Sequence, residues 1–295
     1  MKIIKFILIF GAFASLFFIF YDNYGSSERI SSFGQSESIM LPVTLLSFYD
    51  FSYDEILYEA GASDDSSSPY WWLNSGGLLS ISGGVGMTNQ GDLSIFSKFY
   101  KLYEQDELSN IDTDGGLHPQ NIFRIITRLE LDGNIRQEVY ANIIADNLSI
   151  SARRNESNGI LLFNRYKDGN NLYYAGVRVD GTAVIKKKVD GIYYTMAQKS
   201  IFAGKYSKYH RDTNPNLLPK NKWIGVRVDT LTNADKTVTV KLFLDEGKTG
   251  NWKEVLSAMD NGSTYGGSAI QSPGYGGFRT DFMDLFFDDY RIIKL

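Results

Sequence analysis

The sequence predicts an all-β fold, an antiparallel β-sandwich preceded by a single apolar helix at the N-terminus. Short runs rich in Val, Ile, Tyr and Phe recur from residue 43 onward, as expected of strands. Asp-Gly pairs separate several of these runs, and such pairs favour tight hairpins because both turn positions tolerate a positive φ. Beyond residue 20 the helical period of 3.6 residues is almost absent. Regularly spaced strands without helices are typical of a sandwich.

The N-terminal segment is apolar enough to enter a membrane. Lys2 and Lys5 precede residues 6–20, which carry no charge. We expect residues 1–21 to form an uncleaved anchor, with the lysines inside and the body outside the cytoplasm. The alternative is a cleaved signal segment and a secreted body. Residues 22–42 are rich in Ser and predict a flexible stalk, which leaves residues 43–295 as one sandwich domain.

Composition narrows the possible functions. The chain has no Cys, which excludes disulfides, thiolate nucleophiles and Cys-based metal sites. Two His residues are too few for a His-cluster metal centre, and we interpret His118, beside Pro119, as a turn residue. The net charge is −4, yet residues 121–230 carry an excess of Lys and Arg. This basic block indicates a local anionic ligand, whereas an acidic, exported body argues against nucleic acid as a partner.

The first half of the body predicts strands of unequal length. Residues 43–51 form the predicted first strand, and a Gly-Gly pair hinges two short strands within residues 78–88. Residues 93–103 fit a strand or a helix, and we predict a strand. Two long strands, 122–131 and 138–150, flank an Asp-Gly-Asn turn.

A four-stranded antiparallel meander is predicted for residues 159–202. Three turns divide it, at residues 167–171, 180–182 and 190–191, and each contains Asp-Gly. Because each strand is about seven residues long, successive strands fold back on one another.

The rest of the chain continues the strand pattern. A polar loop, 203–221, precedes alternating strands at 223–228 and 237–244. Residues 257–277 are rich in Gly and Ser, and we predict a loop there. A strand at 286–293 closes the chain.

The two ends of the body carry a family resemblance. Ser47–Ser52 (SFYDFS) and Leu73–Leu79 (LNSGGLL) resemble the opening of concanavalin A-like lectin/glucanase jelly rolls. Phe287–Ile292 (FDDYRI) resembles their closing strand. The resemblance implies a jelly roll over about residues 43–295, with its first and last strands paired. Function stays open, because this superfamily includes lectins, glucanases and polysaccharide lyases.

The same resemblance implies a candidate calcium site. In the glucanase branch, an aspartate of the closing strand helps to hold a structural Ca²⁺. By position Asp289 is the candidate here, with Asp50 nearby if the first and last strands pair. Hard cations take carboxylate oxygens, but two aspartates at a strand bulge also occur without a metal.

Glucanase chemistry is not expected. That branch uses E-x-D-x-x-E, which places nucleophile and acid/base on one strand face. Glu130–Asp132 matches its start, but no second Glu follows.

The alginate-lyase type of jelly roll is a closer comparison. Arg124 and Arg128 are spaced as in its R-x-E-x-R strand, and Lys188–Tyr193 resembles its Lys-Gly-Tyr run with one residue inserted. The Glu and the Q-x-H histidine of that family are missing. Such a lyase needs a cation to neutralise the uronate carboxylate and a base to take the adjacent proton. The arginines are the candidate cations and Tyr193 or Tyr194 is the candidate base, with Tyr193 the predicted catalytic residue.

A protein that only binds a glycan needs no catalytic residues, so fewer features of the sequence have to match. Because strand side chains alternate, four polar pairs each fall on one face of a strand, with apolar residues on the other. These candidate glycan-binding pairs are Arg124 and Arg128, Tyr174 and Arg178, Lys186 and Lys188, and Trp223 and Arg227. Aligned on one face, they would form a groove in which sugars stack on aromatics and Arg binds carboxylate or sulfate. The alternative is an ordinary solvated sheet face.

We therefore expect a membrane-tethered, extracytoplasmic, lectin-like jelly roll that binds an acidic polysaccharide. A polysaccharide lyase on the same surface is one alternative, and it requires a proton-abstracting group. A structural envelope, surface-layer or virion protein is another, and it requires large apolar contact patches. The sequence indicates no cofactor other than a structural Ca²⁺.

Overall fold

The fold is a two-sheet antiparallel β-sandwich, as the sequence predicts. A computed structural model describes residues 44–49, 51–105, 111–206 and 216–295. The predicted N-terminal helix, the stalk and Asp50 therefore lie outside the described residues. In the part that is described, no helix is both long and apolar enough to cross a lipid bilayer.

Strands make up almost all of the regular structure in the described ranges. They are β1 (Thr44–Tyr49), β2 (Glu55–Tyr58), β3 (Trp71–Ser75), β4 (Leu78–Ser82), β5 (Val85–Thr88), β6 (Arg124–Leu131), β7 (Ile135–Asp146), β8 (Gly159–Asp168), β9 (Asn171–Arg178), β10 (Thr182–Val189), β11 (Ile192–Ser200), β12 (Trp223–Thr232), β13 (Val238–Glu246), β14 (Lys253–Asp260), β15 (Gly274–Arg279) and β16 (Met283–Lys294). One α-helix, α1 (Lys98–Gln105), lies between β5 and β6.

The strands form a larger and a smaller sheet. The larger sheet has the order β14-β13-β12-β7-β16-β5-β4-β2, with β1 also paired to β16. The smaller sheet has the order β11-β10-β9-β8-β15-β6-β3. The predicted meander is confirmed, because β8 to β11 are successive antiparallel neighbours.

The first and last strands of the sandwich pair, which confirms that prediction. β1 runs antiparallel to β16, with Phe48 opposite Arg291 and Tyr49 opposite Tyr290. Together with the two-sheet architecture, this pairing agrees with the resemblance to concanavalin A-like jelly rolls.

An aromatic cluster fills the space between the sheets. The rings of Phe278 and Phe287 lie 4.7 Å apart between centroids, as do those of Trp71 and Tyr290. All four side chains are buried. Burying such a side chain stabilises the fold by about 1.5–3 kcal/mol, and a ring pair adds about 0.5–1.5 kcal/mol. Because strand side chains alternate, the inward direction of Phe278 places Arg279 on the outer face.

The strand predicted for residues 93–103 is wrong, since part of that segment forms α1. Phe99 and Tyr103, four residues apart, lie on one face of the helix and are buried. The Tyr103 hydroxyl accepts hydrogen bonds from the backbone N–H groups of Gly76 and Gly77, at 3.2 and 3.0 Å. This contact with a distant turn stabilises the helix, and no local pattern reveals it.

The loop predicted for residues 257–277 is also wrong at both ends. β14 extends to Asp260, and β15 begins at Gly274. The glycines of β15 are required by neighbouring strands: a Cβ on Gly277 would lie 2.2 Å from the Ile125 carbonyl oxygen. The glycines of β15 therefore mark a crowded central strand, whereas residues 261–273, between the two strands, are irregular as predicted.

Candidate functional site

The outer face of the smaller sheet carries a second apolar cluster, separate from the core between the sheets. Its buried members are Ile126, Leu161, Phe163, Tyr166, Leu172, Tyr174 and Val184. The outer face of an antiparallel sheet normally carries polar residues that are exposed to solvent. Buried aromatic and aliphatic side chains here indicate a recessed surface.

Three depressions adjoin one another on this face and form what we call the basic groove. Their volumes are about 230, 550 and 50 Å³, and we call them the first, middle and small depressions. Arg279 lines all three. The first and middle depressions also share Arg153 and Asn158, whereas the middle and small ones share Tyr174, Lys188 and Tyr193. The groove is therefore continuous.

Positive charge dominates the lining of the groove. The cationic side chains are Arg124, Arg153, Lys186, Lys188 and Arg279. Asp281 is the carboxylate found among the described lining residues. Cations crowded along a recess with low-dielectric walls create a positive potential that attracts anions.

Arg279, at the centre of the groove, is positioned by Asp281. The guanidinium binds the carboxylate through two hydrogen bonds, with Nε donating to Oδ2 at 3.1 Å and Nη2 donating to Oδ1. Desolvation lowers the pKa of Arg279, but the Asp281 carboxylate outweighs it and the net shift is upward. The bidentate pair fixes the side chain, which stays partly exposed to the groove.

Two tyrosines and two lysines form one wall. The rings of Tyr174 and Tyr193 meet edge to face, with centroids 5.8 Å apart. Lys188 Nζ lies 4.6 Å from the Tyr193 centroid, and Lys186 Nζ lies 5.7 Å from it. Desolvation lowers the pKa of Lys186, and Arg178 lowers it further. Burial raises the pKa of Tyr174, and Tyr193 adds to the rise.

Arg124 and Lys188 meet at the hairpin turn between β8 and β9. Nε of Arg124 donates to Asn74 Oδ1 at 2.6 Å. Its Nη1 lies 3.9 Å from the position that a Cβ on Gly169 would occupy. Lys188 Nζ donates to the Gly169 carbonyl oxygen at 2.6 Å. The predicted Asp-Gly turn therefore brings two cations from different strands to the same place.

Two of the predicted arginines do not line the groove, and both bind other groups of the same chain. Arg128 donates from Nη1 to the Ser68 carbonyl oxygen at 2.9 Å. Arg178 is buried, with Nη2 2.9 Å from Asp180 Oδ2 and Nε donating to the Glu156 carbonyl oxygen at 2.8 Å. Alternation places these arginines on the outer face, but it does not reveal their local partners.

The predicted alignment of all four polar pairs on one face is wrong for Trp223 and Arg227. Both belong to β12, which pairs with β7 and β13 in the larger sheet. There the Arg227 guanidinium stacks 4.0 Å from the Trp252 ring centroid, and Nε donates to Glu138 at 2.6 Å. Strand order decided this outcome, and hairpin signals do not specify the order of distant strands.

The calcium prediction remains a prediction. Asp289 Oδ2 lies 3.1 Å from Lys248 Nζ, and Asp50 lies outside the described residues. In the described ranges, no group of three or more acidic or His side chains is arranged to hold a metal ion.

His118 is not among the lining residues of the groove, and its ring lies between two carboxylates. Its Nε2 is 2.9 Å from Asp92 and its Nδ1 is 3.1 Å from Asp114. The hydrogen bond to Asp114 raises the pKa of His118, although desolvation opposes it.

Sequence reasoning missed three residues of the groove, namely Arg153, Arg279 and Asp281. Alternation could have revealed Arg279 and Asp281, because in a strand they share the face opposite to Phe278. The neighbouring glycines instead led us to predict a loop there. Arg153 lies in a loop, where no periodicity indicates direction.

No protein-family model matches the sequence, and no curated protein matches it either. Similar solved structures include the carbohydrate-binding module CBM66 from Bacillus subtilis, at 17% identity and a TM-score of 0.38 over 58% of this chain and 81% of that one. The GH43 protein BlXynB from Bacillus licheniformis shows 13% identity and a TM-score of 0.42, and the match covers 84% of this chain but only 39% of that one. The marine PL-14 alginate lyase from Aplysia kurodai shows 8% identity and a TM-score of 0.38 over 83% of this chain and 100% of that one. At such identities and scores, none of these proteins identifies the function of this chain.

Proposed function

We propose that the protein binds an acidic polysaccharide in the basic groove. The observation that carries this proposal is the excess of cations over carboxylates in a recess that also presents two tyrosine rings. Sugars offer apolar ring faces for aromatic contact, and guanidinium and ammonium groups bind carboxylate or sulfate. The middle depression, at about 550 Å³, has the volume of ordinary ligand sites.

The groove also supports binding by its rigidity. Arg279 is fixed by Asp281, Arg124 by Asn74, and Lys188 by the Gly169 carbonyl oxygen. Side chains held in place before the ligand arrives lose little conformational entropy on binding. Membrane tethering of an extracytoplasmic body remains part of the proposal, and it rests on the apolar segment at residues 6–20.

A polysaccharide lyase at the same groove is the second candidate. Tyr193 lines the middle and small depressions, close to both lysines of the wall. A phenol beside cations supports this candidate, because a lyase needs a proton-accepting group next to the cation that neutralises the uronate carboxylate. The two candidates share a ligand class and differ only in turnover.

The test uses the full chain on an array of neutral, uronate-containing and sulfated glycans. Arg124→Met should weaken binding to acidic glycans about tenfold or more, because a hydrogen bond to a charged group is lost. Arg128→Met is the matched control: it removes the same charge from the same strand, outside the groove, and should leave affinity unchanged. Wild-type affinity should fall as salt rises.

A turnover assay on the same glycans separates binding from cleavage. Unsaturated uronate products that appear with wild type and vanish with Tyr193→Phe would establish the lyase. Binding without products supports the lectin-like function. If no acidic glycan binds, the proposal fails and a structural role is left.

A further inference from the structure

One side of the basic groove is a loop, residues 147–158 between β7 and β8, which we call the rim loop. It contributes Arg153 and Asn158 to both the first and the middle depression. Asn155 and Ser157 also line the middle one. A loop has no strand ladder to fix it, so its position depends on the side chains that hold it. Those contacts therefore decide how well this side of the groove is prepared for a ligand.

Two carboxylates of the segment before β6 hold the rim loop. Ser149 Oγ donates to Asp114 Oδ1 at 2.6 Å, and Ser151 Oγ donates to Asp112 Oδ1 at 2.5 Å. Arg153 Nη1 lies 3.0 Å from Asp112 Oδ2. Both serines are buried, as is Asp112. Hydrogen bonds to ionised groups are stronger than neutral ones, so residues 112–114 are the main anchor of the loop.

Further hydrogen bonds connect this anchor to the groove. Ser151 N donates to Ser149 Oγ, and Arg153 N donates to Ser151 Oγ, both at 3.1 Å. Asn158 Nδ2 donates to the Arg153 carbonyl oxygen at 3.1 Å. The Asn158 side chain also donates to the Asp281 carboxylate, which lines the first depression. A displacement of the anchor therefore moves side chains of the groove with it.

His118 holds the anchor in its turn. Its Nδ1 lies 3.1 Å from Asp114 Oδ2, and its Nε2 lies 2.9 Å from Asp92 Oδ1, in the segment after β5. The hydrogen bond to Asp114 raises the pKa of His118 most, desolvation opposes it, and Asp92 adds to the rise. These two carboxylates are the charged groups that act on the ring. Because the imidazolium has two N–H groups, it donates to both at once.

Loss of one proton breaks this bridge. A neutral imidazole has a single N–H, so its bare nitrogen faces the lone pairs of either Asp92 or Asp114. Two acceptors at hydrogen-bond distance repel each other, and the carboxylate or the ring has to shift. Asn121 Nδ2 donates to Asp114 Oδ2 at 3.0 Å in either state, so we expect the anchor to be displaced and not to unfold.

We infer that protonation of His118 controls the affinity of the basic groove for acidic glycans, through the rim loop. The inference rests on the proposed function and adds its regulation. With the imidazolium in place, the anchor is fixed and Arg153 and Asn158 are positioned before the ligand arrives. With the neutral ring, the ligand has to order the rim loop as it binds, which lowers its affinity.

Calorimetry on the full chain tests the inference, with oligosaccharides of κ-carrageenan and of polygalacturonate from about pH 5.5 to about pH 9. Their sulfate and carboxylate groups stay ionised throughout, so the ligand itself does not titrate. Wild-type affinity should be highest below the ordinary His pKa of 6.5 and should fall about fivefold or more as the pH rises through the raised pKa of His118.

His118→Gln removes the charge at every pH. Its affinity should be about fivefold or more below that of wild type at the acidic end, and the decline with rising pH should be lost. Groups of the groove that titrate at alkaline pH, such as Lys186, affect both proteins alike. The comparison of the two pH profiles therefore isolates the contribution of His118.

Asp92→Asn tests the bridge without removing the ring. The Asp92 side chain is 71% exposed, so the change is unlike a core substitution. Loss of its charge should move the decline to lower pH, and an amide that can donate to the bare nitrogen should make the decline smaller. Asp64→Asn is the matched control: it removes the same charge from a fully exposed side chain near Arg128 and should leave the profile unchanged. Melting curves check folding.

The outcomes separate the two claims. Affinity that stays constant across the pH range would overturn the inference while leaving acidic-glycan binding intact. The same decline in His118→Gln as in wild type would overturn it too. If His118→Gln does not fold, an Asp92→Asn profile identical to that of wild type has the same force. Absence of binding to both oligosaccharides at every pH would remove the proposed function itself.

Discussion

Lys187 and Asp260 form an ion pair inside the sandwich, with Nζ 2.8 Å from Oδ2 and neither side chain exposed. Lys187 stands on β10 between two cations of the groove, yet it points inward because strand side chains alternate. Its Nζ also donates to the carbonyl oxygens of Gly267 and Ser268, both at 2.8 Å. The pair therefore ties the loop after β14 to the strand that carries one wall of the groove.

Asp260→Asn should destabilise the protein strongly. The substitution leaves the Lys187 ammonium buried without a counter-charge, which costs about 3–5 kcal/mol in free energy of unfolding. Glu254→Gln is the matched control, since it breaks the partly exposed pair with Lys241 and should cost about 0–1 kcal/mol. Denaturant unfolding measures both, and equal losses would contradict the prediction.

Lys186→Met should stabilise the protein at neutral pH while weakening acidic-glycan binding. Desolvation lowers the pKa of Lys186, so the folded state disfavours its ammonium form. That penalty is fully present below the lowered pKa and disappears as the pH rises to the ordinary value of 10.5. We expect the variant to gain about 0.5–2 kcal/mol at neutral pH, a range typical of stabilising substitutions.

The pH dependence of the gain is the sharper measurement. The difference in free energy of unfolding between Lys186→Met and wild type should shrink as the pH approaches 10.5. A variant less stable than wild type at neutral pH would show that Lys186 contributes to folding instead of opposing it.

His118 should stabilise the fold more in acid than in base. Its raised pKa, caused chiefly by the hydrogen bond to Asp114, means that the folded state favours the imidazolium. This contribution is complete below the ordinary pKa of 6.5 and is lost as the pH rises through the raised value. A neutral imidazole has one N–H, so it can donate to either Asp92 or Asp114 but not to both.

The measurement for His118 compares His118→Gln with wild type across the pH range. The variant should lose about 1 kcal/mol near pH 5.5, and the loss should decline at alkaline pH. Asp92→Asn should remove part of the same effect, since Asp92 supplies one of the two contacts. A loss that does not change with pH would assign His118 a packing role only.

Gly277→Ala should cost more than Gly267→Ala, although both glycines have positive φ, at 133° and 97°. A Cβ on Gly277 would lie 2.2 Å from the Ile125 carbonyl oxygen, whereas nothing lies within 4 Å of one on Gly267. Since the obstacle is backbone, the crowded site should lose about 1–3 kcal/mol more. Thermal or denaturant unfolding gives the comparison, and similar losses would show that β15 can shift.

Local signals in the sequence were sufficient for the meander and the terminal strands. Asp-Gly turns specify neighbours that follow each other, so β8 to β11 were predictable. Alternation also assigned Arg124, Tyr174, Lys186 and Lys188 to the outer face. The partners of Arg128 and Arg178 were not predictable, because Ser68 and Glu156 lie in irregular segments.

Long-range arrangement accounts for what the sequence did not reveal. The sheet assignment of Trp223 depends on β12 pairing with β7, a strand more than 70 residues away along the chain. Arg279 was not predicted, because the glycines of its strand read as a loop. Those glycines are required by close approach of neighbouring strands, which the sequence alone does not identify. Helix α1 likewise depends on Tyr103 reaching a distant turn.

The position of β15 between β6 and β8 has a kinetic consequence. The meander can form from contacts between successive strands, but β15 follows it by more than 70 residues and must insert between two strands that are already distant in sequence. Pairing of this kind is slow, because the loop must close before any contact compensates for the lost entropy. Arg279 reaches its place only with that insertion. During refolding, β structure should therefore appear first, and affinity for the ligand should lag behind it.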